Sequence, residues 1–169
     1  MTTAQPAPEM HWSRWGDPAE AGPLPDSAFA LVDAFLGTSD TPAVAADAVE
    51  LTEPLADELL AELAELVGAE HVLVDRETRL HRTRGKSTPD LLKLRHGDGS
   101  DSPDAVVRPG THDEVAAVIA WCVRRHVALV PFGGGTSVVG GLAARRDGFA
   151  GVISLDLVRF DQLLDVDHE

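Results

Sequence analysis

The sequence has little of several residue types and patterns, and each shortage excludes a class of protein. Cys122 is the only cysteine among 169 residues, so the chain cannot form an internal disulfide or a zinc site built from several cysteines. No run of about 18 apolar residues occurs, which argues against a transmembrane helix. The amino terminus lacks the basic start and apolar stretch of a secretory signal. We therefore expect a cytoplasmic protein.

Metal ligands and clustered basic residues are also scarce. None of the seven histidines pairs at a metal-binding spacing such as H-E-x-x-H, so we expect no metal site. The net charge is -14, and residues 1–80 carry 16 acidic but only 3 basic side chains. Seven basic residues occur between positions 76 and 95, but acidic and apolar residues interrupt them. Nucleic-acid binding needs clustered Lys and Arg, and we expect none.

The first 54 residues form an acidic region that seven prolines interrupt. One short helix is predicted, with Ser27 as its cap and Gly37 at its end. Trp12, Trp15 and Phe35 are the expected apolar anchors of this arm. Disorder is the alternative, because Ala-, Pro- and acid-rich segments bury little apolar surface.

A second helix is predicted over residues 55–67, with Thr52 as its cap, Pro54 in its first turn and Gly68 at its end. Its leucines form one apolar stripe. A short strand follows at residues 71–74.

The clearest pattern in the chain is strand, helix, strand. Residues 105–107 are a short apolar strand, and Thr111 and Glu114 then form a capping box at the start of an amphipathic helix. Residues 127–132 are a continuous apolar run, as expected for a strand buried on both faces. This spacing predicts a βαβ unit with a parallel pair of strands. Residues 152–155 and 163–167 are two further strand candidates.

The apolar run at residues 127–132 leads directly into a cluster of glycines. Its members, with the residues that flank them, are Pro131, Phe132, Gly133, Gly134, Gly135, Thr136, Ser137, Gly140 and Gly141. Successive N–H groups in such a loop can converge on an anion, and the two hydroxyls add donors. The loop contains no lysine, which suits a diphosphate that is bound and not transferred. The alternative is a tight turn without a ligand.

Two common nucleotide loops do not fit. The fingerprint G-x-G-x-x-G requires glycine three residues after Gly135, where the chain has Val138. Gly85, Lys86 and Ser87 imitate the end of a triphosphate loop, but that loop would begin with glycine at the position of Leu80. We interpret this second match as chance.

Four side chains in this part of the chain are candidates for a reactive or phosphate-binding role. Cys122 lies on the apolar stripe of its helix, so we expect a buried, unreactive thiol. Ser137 lacks the G-x-S-x-G surroundings of a nucleophile. Arg145 and Arg146 follow the loop and can reach a phosphate, although a solvated turn is the simpler expectation.

These motifs resemble the FAD-binding fold of the vanillyl-alcohol oxidase and p-cresol methylhydroxylase (PCMH) type. Residues 104–109 are similar to its first strand, residues 111–126 to the next helix, and residues 131–141 to the loop over the FAD diphosphate. Residues 12–16 and 79–95 are similar to the lead-in of the alkyldihydroxyacetonephosphate synthase group of that superfamily.

The resemblance implies an α+β fold with two parts: an amino-terminal arm and helical lead-in at residues 1–101, and a PCMH-type FAD-binding domain at residues 102–169. It implies FAD as cofactor, held by the nine loop residues named above. The FAD domain of the family continues further, so we expect an amino-terminal fragment, inactive alone, whose catalytic residues cannot be assigned.

The implied activity is flavin-dependent exchange of an acyl for an alkyl group in ether-lipid synthesis, on a small-molecule or lipid-like substrate. A homodimer is expected for the complete enzyme. Two alternatives stay open. One is an FAD-dependent 2-hydroxy-acid dehydrogenase that acts on D-lactate or glycolate. The other is a non-catalytic flavin-binding or interaction fragment.

Overall fold

A computed structural model of the chain describes residues 9–38 and 41–166. The helices are α1 (Asp26–Leu36), α2 (Asp57–Val67), α3 (Arg76–His81), α4 (Thr88–Arg95) and α5 (His112–Arg125). The strands are β1 (Glu50–Leu51), β2 (Val72–Leu73), β3 (Asp98–Gly99), β4 (Ala105–Val107), β5 (Val127–Phe132) and β6 (Gly151–Asp156). Short 3-10 helices span Pro18–Glu20, Ala46–Ala48 and Ala69–His71. This mixture of helices and strands confirms the predicted α+β class.

The main sheet has four strands in the order β2-β4-β6-β5. Strands β4, β6 and β5 are parallel, and β2 is antiparallel to β4. The predicted β4–α5–β5 unit is present, but β4 and β5 are not neighbours, because β6 lies between them and pairs with both. Thr111 caps α5 as predicted, with its Oγ1 accepting from the Glu114 amide at 3.1 Å.

Helices α2 and α5 cover one face of this sheet. Leu63 of α2 and Val118 and Trp121 of α5 are buried against Val107 and Ile153. A hydrogen bond of 2.7 Å from the Trp121 indole to Glu62 joins the two helices. Because α2 and β2 share this core with the later strands, segments on both sides of the predicted division at residue 101 pack together. The division itself stays a prediction.

Two predictions about strands are wrong. Strand β5 lies at the edge of the sheet, so only its ends, Val127 and Phe132, are buried. The strands that are buried throughout are β4 and β6. Residues 163–166 are not a strand, and Leu163 and Leu164 are strongly exposed. Residue 167 lies outside the described residues.

The amino-terminal arm also differs from expectation. Helix α1 ends at Gly37 as predicted, but Pro25 and not Ser27 precedes its first turn. Phe35 is 80% exposed and Trp15 is 50% exposed, so neither anchors the arm. Trp12 does, because it packs against a second, smaller core formed by Val49, Leu80 and Leu94.

Thr52 does not cap α2, which begins after Ala56. Its hydroxyl lies 3.0 Å from Asp104 Oδ1 and 3.1 Å from the Ser102 carbonyl oxygen. Thr52 therefore joins the lead-in to the start of β4, and Pro54 lies before the helix.

Candidate functional site

The glycine loop, residues 133–141, leaves the carboxyl end of β5. Arg108 follows β4 at the same edge of the sheet, and Asp156 ends β6 there. The carboxyl ends of parallel strands form the edge at which open α/β sheets bind ligands. The predicted site residues therefore lie at the edge where a cofactor is expected.

The backbone of this loop has free hydrogen-bond donors. Within residues 9–38 and 41–166, the amides of residues 133–137 donate to no protein acceptor. The hydroxyls of Thr136 and Ser137 also lack a protein partner in those ranges. Most of this loop is exposed, so water can satisfy these donors in the absence of a ligand. The arrangement can bind an anion through successive N–H groups.

At two positions of the loop, neither steric crowding by the protein nor the backbone conformation requires glycine. A Cβ built on Gly133 meets nothing within 4 Å, and one built on Gly134 meets only a Thr136 methyl at 3.8 Å. Neither residue has a positive φ. The space beside them is therefore left open by the protein and is wide enough for a close approach by a ligand.

Gly135 is different, because the protein itself requires it. Its φ is +68°, and a Cβ there would lie 2.6 Å from Cζ of Phe132. Phe132 is buried, and its ring supports the loop from the side of the sheet.

Behind Phe132 lies a buried group of charges. The Asp156 side chain is only 1% exposed, and its Oδ2 accepts from Arg82 Nη2 at 2.9 Å and from Arg108 Nε at 3.0 Å. Asp156 Oδ1 accepts from the Val158 amide at 3.2 Å. The carboxylate thus fixes two arginines at the edge of the sheet, beside the start of the loop. Arg82 also pairs with Glu9 from the arm.

A second contact holds the carboxyl end of residues 133–137. The Lys86 amide donates to the Ser137 carbonyl at 2.7 Å. A Cβ on Gly85 would lie 2.2 Å from the same oxygen, so the close approach requires glycine. The Ser87 side chain caps α4 by accepting from the Asp90 amide at 3.2 Å. The Gly85-Lys86-Ser87 segment therefore contacts the glycine loop and begins α4.

The arginines after the loop form ion pairs within the protein. Arg146 Nη1 donates to Asp104 Oδ2 at 2.8 Å, and this hydrogen bond raises the pKa of Arg146 despite partial burial. Arg145 is exposed and lies 3.2 Å from Asp147. Arg145 therefore lies in a solvated turn, whereas Arg146 fixes the start of β4.

Cys122 is buried as predicted, and burial raises the pKa of its thiol to about 11. Its lack of reactivity stays a prediction. Among the described residues no three His, Cys, Asp or Glu side chains converge on a metal position. His168 lies outside those residues.

The contacts of Arg82 and Asp156 were not predicted from the sequence, and Gly85 and Lys86 were interpreted there only as a chance match to a triphosphate loop. The available signal was weak: a basic residue in the interrupted segment 76–95, and an acid at the end of a buried strand. Their partners are 74 and about 50 residues away along the chain, and no local pattern reports such pairing.

A mostly parallel sheet that carries a glycine-rich loop at its carboxyl edge is typical of nucleotide-binding domains. The sequence model of the family described as "FAD binding domain" matches residues 103–169. Protein Rv2250A of Mycobacterium tuberculosis is 37% identical over 126 residues, which cover 73% of this chain and 81% of that protein. The chain belongs to the PCMH-type FAD-binding family, and alkyldihydroxyacetonephosphate synthases are among its homologues.

The synthase of Trypanosoma brucei brucei is 34% identical over 113 residues, which cover 64% of this chain and 18% of that enzyme. A solved structure titled as an alkyldihydroxyacetonephosphate synthase superposes with a TM-score of 0.79 at 25% identity, over 95% of this chain and 34% of the other. Glycolate oxidase subunit GlcD of Bacillus subtilis is 33% identical over 67 residues, 40% of this chain and 13% of that subunit. The chain thus spans about a fifth to a third of the length of the synthases it matches.

None of the helices within residues 9–38 and 41–166 combines the length and the apolar character of a membrane span.

Proposed function

We propose that the glycine loop binds the diphosphate of FAD. The observation that carries this proposal is the row of five amides at residues 133–137 without a protein acceptor. Thr136 and Ser137 add two hydroxyl donors beside them. Donors arranged in this way compensate a diphosphate without a lysine, and the open space at Gly133 and Gly134 lets the phosphates approach the backbone.

The residues around the loop then have defined roles. Phe132 and Gly135 fix the loop against the sheet, and Pro131 pairs with Leu155 in the last but one position of the ladder that β5 shares with β6. Gly140 has a φ of +74° and, with Gly141, turns the chain back from the site. Arg82 and Arg108 lie at this edge, where Asp156 binds both guanidinium groups and Glu9 binds Arg82 as well. When bound, FAD supplies an isoalloxazine that accepts and returns an electron pair.

The proposal extends to the activity of the complete enzyme. We infer a flavin-dependent enzyme of the alkyldihydroxyacetonephosphate synthase type, which exchanges an acyl for an alkyl group on a lipid-like substrate. The alignment to the synthase extends over 113 residues, whereas the FAD-binding model matches only residues 103–169. The similarity therefore includes lead-in residues that an FAD domain alone does not account for. The predicted homodimer and cytoplasmic location stay predictions.

A 2-hydroxy-acid dehydrogenase is the second candidate, favoured by the alignment to the glycolate oxidase subunit, which is limited to 67 residues. A non-catalytic flavin-binding chain is the third. Flavin absorbance separates the three once FAD is bound. Bleaching by an acyl-dihydroxyacetone phosphate supports the synthase type, and bleaching by D-lactate or glycolate supports the dehydrogenase. Bound FAD that neither compound bleaches shows only that this chain has no catalysis of its own, and the same test on a longer protein that contains the chain then separates the candidates.

The binding proposal is tested with two glycine variants of the purified chain. Gly134→Val places a branched side chain in the open space beside the free amides, and we expect FAD affinity to fall at least about tenfold without loss of fold. Gly22→Val is the matched control, because Gly22 is exposed, has no atom within 4 Å of a built Cβ and lies outside the loop. Equal FAD affinities of the two variants would contradict the proposal.

A further inference from the structure

Lys86 makes contacts in two directions. Its amide donates to the Ser137 carbonyl at 2.7 Å, at the end of the row of free amides. Its side chain extends the other way, and Nζ donates to the carbonyls of His11 at 2.5 Å and Trp12 at 3.2 Å. One residue therefore contacts both the glycine loop and the amino-terminal arm.

The part of the arm that Lys86 contacts is an ordered turn, residues 11–16, which we call the arm turn. The His11 amide donates to the Gly16 carbonyl at 3.2 Å and closes the turn. The Ser13 amide donates to His11 Nδ1 at 3.1 Å, and Ser13 is buried. Trp12 packs against the second core, so the arm turn has its own attachment to the protein.

The cost of burying Lys86 supports a specific role. The residue is only 8% exposed, and an ammonium group out of water needs acceptors. No carboxylate pairs with it in the described ranges, and two backbone carbonyls compensate its charge instead. Burial lowers the pKa of Lys86 to about 8. Replacing a buried charged group by an apolar residue of similar volume is often neutral or stabilising, so stability does not by itself explain a lysine at this position.

We propose that Lys86 is a positioning residue that couples the arm turn to the glycine loop and so fixes the loop for FAD. The consequence for FAD rests on the proposed function, whereas the coupling itself does not. Through this contact, three separate segments form one unit: residues 11–16, residues 85–87 and residues 133–137. The contact requires Gly85, because any Cβ there would displace the Ser137 carbonyl.

The coupling has a direct reporter. The amide of residue 86 is the donor to Ser137, so its hydrogen-exchange rate measures how often the contact to the loop opens. Lys86→Met removes the contact to the arm turn but keeps this amide. We expect exchange at position 86 to become at least about tenfold faster, because the segment has lost its attachment to the arm turn.

Lys93→Gln is the matched control, because Lys93 is the other lysine of the chain and is exposed on α4. It should leave exchange at position 86 unchanged. Lys86→Arg keeps the donors and should restore most of the protection. If Lys86→Met does not fold, Trp12→Leu loosens the arm turn from the other side and should produce the same acceleration. The result that overturns the coupling is an exchange rate at position 86 within about twofold of that of the unsubstituted chain. It is read from Lys86→Met, or from Trp12→Leu if Lys86→Met does not fold.

FAD affinity is measured on the same proteins. We expect Lys86→Met to weaken FAD binding at least about fivefold while its free energy of unfolding stays equal or rises. If Lys86 were purely structural, its substitution would lower FAD affinity and the free energy of unfolding together, or would lower neither. Either result would overturn the positioning role. If the parent chain binds no FAD, the proposed function fails, and the exchange rates alone decide whether the coupling exists.

Discussion

The guanidinium carbon of Arg82 lies 5.2 Å from the centroid of the Phe132 ring, and Phe132 is the last residue before the glycine loop. A cation over an aromatic face at this distance is an attractive contact, of about 0.5 to 2 kcal/mol. Asp156 also binds Arg82, and Gly135 packs against the edge of the ring. A continuous row of contacts thus runs from the end of β6 to the centre of the loop.

Asp156→Asn tests that row. The amide cannot balance the charges of Arg82 and Arg108, and removing one partner from a buried ion pair leaves the other uncompensated. We expect the free energy of unfolding, measured by urea denaturation, to fall by about 3 kcal/mol. Asp161→Asn is the control, because Asp161 is exposed. A loss for Asp156→Asn no larger than that of the control would show that the arginines do not depend on this carboxylate.

Gly85→Ala tests the contact between the lead-in and the loop. A methyl group there would lie 2.2 Å from the Ser137 carbonyl oxygen, so one of the two segments must move. Overpacking of this kind costs about 1 to 3 kcal/mol, and FAD affinity should fall as well because the loop is displaced. Thermal unfolding and FAD titration measure the two effects. Gly22→Ala, whose built Cβ meets nothing, should change neither, and equal behaviour of the two variants would contradict the close approach.

The pH dependence of stability tests the burial of Lys86. Its pKa is about 8 in the folded chain against 10.5 ordinarily, so between these values the unfolded chain binds more protons. The free energy of unfolding therefore rises with pH in this window, by about 1 to 2 kcal/mol from pH 7.5 to 9.5 for this group alone. The neighbouring His11 stays neutral there, since burial and then nearby charges, Arg14 before Lys86, lower its pKa.

The comparison is made between the parent chain and Lys86→Met in urea at each pH, which cancels the titration of groups that both share. The difference should change in favour of the parent as the pH rises. A difference that is constant with pH would show that Lys86 is not buried as a charged group.

Cys122 gives the opposite dependence. Burial raises the pKa of its thiol from 9.0 to about 11, so between these values the folded chain binds more protons and stability falls as the pH rises. The native thiol should also resist alkylation at about pH 8 and react only in denaturant. Mass spectrometry after iodoacetamide treatment measures this. Rapid alkylation of the folded chain would contradict the packing of α5 on the sheet.

Local patterns predicted β4, α5, β6 and the position of the glycine loop, because each depends on residues close in sequence. The capping bond between Thr111 and Glu114 spans three residues, and the pattern that predicts it is equally short. The insertion of β6 between β4 and β5 was not predictable, since the order of parallel strands is set by tertiary packing. The apolar run of β5 therefore indicated a buried strand where an edge strand occurs.

The amino-terminal arm also shows that local patterns do not predict tertiary contacts. Apolar spacing predicted α1 well, yet its Phe35 is exposed, because periodicity indicates a helix without indicating what covers it. Thr52 has the residue type of a helix cap, but tertiary hydrogen bonds to Ser102 and Asp104 use its hydroxyl. The supports of the loop, Arg82 and Lys86, were likewise invisible because their partners are distant in sequence.

The most direct measurement of the central claim is a titration of the purified chain with FAD, riboflavin and ADP, followed by flavin fluorescence and by calorimetry for ADP. If the glycine loop holds the diphosphate, FAD binds, ADP competes with it, and riboflavin, which has no phosphate, binds at least about tenfold more weakly. Riboflavin that binds as tightly as FAD, or FAD binding that ADP does not affect, would contradict the assignment of the loop.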